Sequence, residues 1–146
     1  MIQNKAELPA LFTFNQTCFI PNPVRPGYTF AGWYTDAACT ADTAVTKVEK
    51  GTTGDRTFYA LWTENTYPVT FAAANNTTDE VTEDRLYTAE LGANPFTWLG
   101  HTFLGWSDGV NIYPVNTQLT ALVTAETEKL RLNAAWKKDE YKLTFN

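Results

Sequence analysis

The sequence predicts a mainly β protein built from two small tandem modules, and three observations lead there. Strand-favouring residues are abundant: 24 Thr stand against 7 Lys, alongside many Val, Tyr, Phe and Trp, the side chains that suit a pleated, half-exposed surface. A run of landmarks recurs, with Gly27-Tyr28-Thr29-Phe30-Ala31-Gly32-Trp33 matching Gly100-His101-Thr102-Phe103-Leu104-Gly105-Trp106 at an offset of 73, five of the seven positions being identical. The same spacing, within one residue, relates Tyr59-Ala60-Leu61-Trp62 to Asn133-Ala134-Ala135-Trp136 and Tyr67-Pro68-Val69-Thr70-Phe71 to Tyr141-Lys142-Leu143-Thr144-Phe145. A repeated supersecondary unit accounts for these three matched segments.

The first module, residues 1–66, is a shortened copy. Its opening strand is expected at Phe12-Thr13-Phe14, its central strand runs through Phe30 to Trp33, and a loop around Asp36 to Asp42 precedes a closing strand that ends at Trp62. The second module, residues 67–136, opens on Tyr67 to Phe71, and Asp108-Gly109 after Trp106 marks a hairpin turn, since Gly accepts positive φ. Comparing the closing strands tells which face is inside. Phe58, Ala60 and Trp62 match Leu132, Ala134 and Trp136, and only this alternate set stays apolar, so it faces the core. Residues 137–146 read as the opening strand of a further repeat or a C-terminal tail; as a lone strand could not bury its apolar face, the chain reads as a piece of a longer array. Thr78-Asp79-Glu80 with Glu83 resembles the start of a short helix, although Val81 and Thr82 dilute that signal and no apolar stripe follows.

Eight aromatics supply the expected structural core: Phe30, Trp33, Trp62 and Phe71 with their repeat partners Phe103, Trp106, Trp136 and Phe145. A module of about 73 residues lies near the lower limit for one self-sustaining core, and each such ring buries on the order of 150–250 Å².

Composition removes several function classes. With 44% hydrophobic and 14% aromatic residues the chain can build a core, unlike an acidic disordered tail. A net charge of −5 argues against nucleic acid as a partner, because neutralising phosphates takes clustered Lys and Arg. No stretch approaches the roughly 18–20 apolar residues of a spanning helix, so no direct membrane insertion is expected.

Pro26-Gly27-Tyr28-Thr29-Phe30-Ala31-Gly32-Trp33-Tyr34-Thr35-Asp36, closing at Phe58-Tyr59-Ala60-Leu61-Trp62, resembles the Listeria–Bacteroides repeat, also called the internalin B-type B repeat. The second copy departs from that pattern, with His101 in place of the Tyr and Trp106-Ser107-Asp108-Gly109 in place of Trp-Tyr-x-Asp. The resemblance implies small β-grasp-like, ubiquitin-resembling modules with short or no helices. It also implies a non-enzymatic role on a secreted or wall-anchored bacterial protein, as a spacer or stalk and interaction scaffold. The partners implied are neighbouring repeats of the same chain and a host protein or glycan. No catalytic, cofactor-binding or metal-binding residues come with it, and fold analogy alone does not establish function.

Other candidate chemistry is sparse. His101 is the sole histidine, and a residue exchanged with Tyr28 between copies fits packing better than catalysis. The acids Asp79, Glu80, Glu83 and Asp84 lack the spacing of a calcium loop, and one histidine with two cysteines cannot complete a zinc set. Two arrangements are open to Cys18 and Cys39: a disulfide, worth about 2–4 kcal/mol to a small secreted domain, or two free thiols. Tyr34, Tyr59, Tyr113 and Trp98 have no aromatic counterpart in the other copy, which leaves them available to a ligand. An adhesin-type module, using those aromatics or a sheet edge, is therefore the alternative to a spacer.

Overall fold

The computed structural model describes residues 5–146, and the chain forms two compact units, Met1–Asn65 and Thr66–Asn146. Both are mainly β, as composition predicts. Among the described residues helical geometry is confined to three-residue 3₁₀ turns at Lys5–Glu7, Ala41–Thr43 and Leu119–Ala121.

In the first unit, β1 (Cys18–Phe19), β2 (Tyr28–Tyr34), β3 (Ala44–Val45), β4 (Lys47–Val48) and β5 (Tyr59–Glu64) make an antiparallel sheet of order β3-β2-β5 and a small β1-β4 ribbon. In the second, β6 (Thr66–Ala72), β7 (Glu80–Leu86), β8 (His101–Ser107), β9 (Ile112–Tyr113) and β10 (Leu130–Lys138) form one mixed sheet of order β7-β6-β10-β8-β9. Its first and last strands, β6 and β10, lie side by side and parallel. The other pairs are antiparallel. β10 extends to Lys138, two residues beyond the expected module boundary.

The Phe-x-Gly-Trp sequence explains how both cores are built. In a regular strand, residues three apart point to opposite faces, so Phe30 and Trp33 would be separated by the sheet. A bulge prevents this: Phe30 lies opposite Trp62 and Gly32 opposite Leu61, so Ala31 is left over. The same irregularity skips Leu104 between Phe103 and Gly105. An extra residue restores the alternation on the far side, and the two glycines sit at φ +148° and +150°, a region that side chains rarely adopt. Phe30 consequently reaches Trp33 and Trp62 at ring centroid distances of 5.5 and 5.6 Å. Phe103 reaches Trp106 and Trp136 at 5.2 and 5.7 Å. These tilted and edge-on arrangements suit aromatic quadrupoles.

One further clamp is duplicated. Trp33 Nε1 donates to the Pro21 carbonyl and Trp106 Nε1 to the Gly92 carbonyl, each at 3.0 Å. Each indole thus ties the segment before its strand to the core while satisfying a donor that burial would otherwise orphan. In the second unit that segment carries Leu91, which buries completely with Val69, Trp106, Leu119 and Leu132, and Phe71 stands 4.6 Å from Trp106. The first unit is thinner: among its described residues Trp33 and Val48 are the buried apolar side chains apart from proline.

Several expectations need correction. Glu80 to Leu86 is strand, not a helix start, because the full β6 ladder from Ala72↔Glu80 to Thr66↔Leu86 takes up its backbone; β-branched Val81 and Thr82 fit that pleat. Phe12-Thr13-Phe14 lies outside any strand and Phe14 is 57% exposed. Tyr141 to Phe145 pairs with no strand in the described chain, so Phe145, expected in the core, is 89% exposed. Of the two arrangements left open for Cys18 and Cys39, the structure has the free thiols: Cys18 is held opposite Val48 in the β1-β4 ribbon, whereas Cys39 occupies a turn whose own bonds to Asp36 close it.

Candidate functional site

The four aromatics singled out in the sequence come together only in part. Tyr34 and Tyr59 face each other across β2 and β5 and lie on one side of the sheet. The Tyr34 ring edge covers Gly32, and Tyr59 is 39% exposed. The corresponding pair in the second unit, Ser107 and Asn133, carries no ring, so this two-tyrosine surface is particular to the first unit. Tyr113 packs against the core of the second unit and donates its hydroxyl to Asp108 at 2.8 Å. Trp98 stacks on His101 at 3.8 Å and meets Trp136 edge-on at 6.1 Å. His101 Nδ1 is bonded to the Leu99 carbonyl at 3.1 Å, so the imidazole serves as a packing plate with a local tether.

The hairpin loops after the two core tryptophans are closed by aspartates that the sequence marked only as turn residues. Asp36 accepts from the hydroxyls of Thr40 and Thr43 and from the Ala38 amide, each at 2.6 Å. The Thr40 hydroxyl most, then that of Thr43, and after them the amides hold its carboxyl down at about 2. Asp108 accepts from the Asn111 and Val110 amides at 2.7 and 2.8 Å. These amides, followed by the Tyr113 hydroxyl, lower its pKa, and the same carboxylate raises that of the Tyr113 phenol. Bonds of this kind favour the charged acid. The nine-residue loop 35–43 and the four-residue loop 108–111 thus reach one result by different routes, a rigid connection between short strands.

A pH prediction follows. Because folding depresses the Asp36 pKa, its contribution is present above the unfolded value near 3.9 and disappears as pH falls through about 2. In a proton-detected NMR titration the Ala38 amide should move with a midpoint near 2, and Asp36→Asn should abolish the movement. A midpoint near 3.9 would show that the hydroxyls are not engaged.

In the acidic stretch Glu80 pairs with Arg131 at 2.7 Å and Glu83 with Arg85 at 3.1 Å; among the described residues no group of three or more His, Cys, Asp or Glu is placed to hold a metal ion. No helix of the described chain is long and apolar enough to cross a membrane.

A feature the sequence did not mark is an apolar cavity of about 670 Å³ in the first unit. Trp33, Val48, Cys18, Ile20 and Phe58 line it, with Asp55 and Arg56 among the residues around it. Its closest signal in the sequence was the shortness of the first copy.

Comparison with known proteins agrees with this architecture. The Listeria–Bacteroides repeat domain matches residues 5–61 and again residues 67–127. A protein of Evansella cellulosilytica named as a membrane protein is 32% identical over 130 residues, covering 84% of this chain and 18% of its own length. Internalin H of Listeria monocytogenes is 37% identical over 91 residues, 59% of this chain and 15% of its own. The chain therefore spans less than a fifth of either relative. No solved structure matches it. With the family's pattern found twice, on two units that share the same bulge, tryptophan clamp and aromatic trio, the chain belongs to the Listeria–Bacteroides repeat family.

Proposed function

We propose that this chain is a tandem repeat segment of a bacterial cell-surface protein, extracellular and non-enzymatic, whose modules act as spacer and interaction scaffold. The observation that supports this most is how the duplicated residues are used. Phe30, Gly32, Trp33 and Trp62, like Phe103, Gly105, Trp106 and Trp136, are engaged in bulges, ring contacts and indole-carbonyl bonds. What the copies share builds the module. That use suits a structural repeat. The second unit reads as β-grasp-like through its central parallel pair of first and last strands, each flanked by an antiparallel neighbour, with the extended 87–100 segment lying over the core where a helix would otherwise pack.

The relatives' names, an internalin and a membrane protein, support envelope association. Protease shaving of intact cells that express the parent protein should release peptides from this segment. Recovery only from the cytosolic fraction would overturn the reading.

The adhesin alternative draws on the Tyr34–Tyr59 surface. A glycan array and a host-protein pulldown discriminate the two: a spacer gives no saturable binding, whereas an adhesin gives a ligand whose binding is lost in Tyr59→Ala.

A further inference from the structure

In the second unit the chain enters the sheet through β6, which begins at Thr66, and leaves it through β10, which ends at Lys138. These two strands are neighbours and run parallel, with Val69, Thr70, Phe71 and Ala72 opposite Leu130, Arg131, Leu132 and Asn133. Tension along the chain draws β6 back toward Thr66 and β10 forward toward Lys138. In a parallel pair those pulls are opposite and lie along the strands, so the load is shear. The slanted, evenly spaced bonds of a parallel ladder bear it together, and none is freed until the strands slide.

The surroundings of the pair resist that sliding. Both strands are internal to the order β7-β6-β10-β8-β9, and each is held on its other side by an antiparallel neighbour. Val69, Phe71 and Leu132 are buried in the core, so little water stands ready to replace the bonds as they break. Beyond the ladder, Trp136 of β10 donates its Nε1 hydrogen at 2.7 Å to the carbonyl of Ala73, the residue after β6. That bond joins the same two segments further along the direction of slip. On the outer face Arg131 of β10 reaches across β6 to Glu80 of β7 at 2.7 Å.

We propose that the second unit bears tension, through a clamp made of the parallel β6–β10 pair and the Trp136–Ala73 bond, and so holds the length of a chain pulled from both sides of it. The use of such a clamp rests on the spacer reading above, whereas its mechanics do not. The same sheet contains a path without that property. β6 and β7 are antiparallel from Thr66↔Leu86 to Ala72↔Glu80, so drawing Thr66 and Leu86 apart loads one pair at a time and unzips the hairpin. Direction of pull, with the same contacts in place, therefore separates the clamp from ordinary stability.

Single-molecule force spectroscopy on the full 146-residue chain tests this. Thiol handles are placed by Thr66→Cys with Lys138→Cys, or by Thr66→Cys with Leu86→Cys, all at exposed positions, and Cys18→Ser with Cys39→Ser leaves no other thiol to couple. The first pull should free residues 66–138 in a step of roughly 200–230 Å, and the second residues 66–86 in about 60–70 Å. Each step length shows that the loaded segment was folded. At one loading rate the first direction should need roughly three- to fourfold the force of the second, since four ladder pairs share the load instead of one. Trp136→Phe keeps a ring toward Phe103 and removes the indole bond. It should lower the force in the first direction and leave the second unchanged, whereas a purely stabilising role would lower both. Equal forces in the two directions overturn the clamp, as does a first direction that yields more easily, and a Trp136→Phe loss shared by both directions overturns the part assigned to the indole. Failure here leaves the cell-surface repeat reading intact, since protease shaving tests that separately, and recovery from the cytosol would leave the force ratio as it is.

Discussion

Trp106→Ala lowers the stability of the second unit by about 3–5 kcal/mol, a large fraction of what a small domain possesses. The indole is fully buried between Phe71, Phe96 and Phe103 at centroid distances of 4.6, 6.5 and 5.2 Å. Removing it leaves a void that strands β6, β8 and β10 cannot close together without breaking their ladders. It also deprives the Gly92 carbonyl of its 3.0 Å donor, which adds to the loss. The matching substitution, Trp33→Ala, is expected to cost less. Trp33 is 7% exposed and already borders the cavity of the first unit, so part of its surface forfeits no packing when it goes. Denaturant unfolding of the two variants, followed by amide exchange to assign each transition to its unit, decides the matter. Equal losses in both units would contradict the account of the thinner first core.

Gly105→Ala disrupts the second unit far more than Gly32→Ala disrupts the first, although the two glycines occupy the same repeat position. Both hold φ near +150°, a backbone strain of roughly 1–3 kcal/mol for an L side chain. At Gly105 a Cβ would lie 2.5 Å from the Tyr113 carbonyl oxygen and 2.9 Å from Ile112 Cγ2. Backbone cannot step aside cheaply, so overpacking adds about 1–3 kcal/mol and pushes β9 off β8. At Gly32 the nearest atom is the edge of the Tyr34 ring at 3.2 Å, and an outer-face ring can turn away. The difference between the two unfolding free energies therefore isolates the clash. Equal effects would mean that backbone strain alone governs both sites.

Much of the architecture could be read before any coordinates. The duplicated Gly-x-Thr-Phe-x-Gly-Trp segment is a β-strand in both copies, and the inward set Phe58, Ala60, Trp62 and Leu132, Ala134, Trp136 is the more buried one, with Tyr59 and Leu61 exposed. These signals are local. Period-two alternation and a constant offset are written along the chain itself. The hairpin after Trp106 was legible for the same reason, as Asp108 and Gly109 act within a few residues. The helix expected at Thr78 failed because acids ahead of Val81 and Thr82 are compatible with either a helix start or an edge strand, and the β6 partner decides. Among the candidate ligand residues, the opposition of Tyr34 and Tyr59 depended on cross-strand register, and the capture of Tyr113 by Asp108 on the hairpin's final geometry.

By itself the sequence determined that there are two copies of one β module, which rings other than Phe145 anchor them, and where the chain turns after Trp106, because each of these depends on residue type at short and regular spacing. Only the tertiary structure decided that a bulge brings Phe30 and Trp33, or Phe103 and Trp106, to one face. It alone decided that β6 runs parallel to β10, that the cysteines stay apart, and that the first unit holds a cavity while Phe145 stands exposed. The physical reason is that pairing, register and burial belong to pairs of segments distant in the chain, and no single segment encodes which partner it will find.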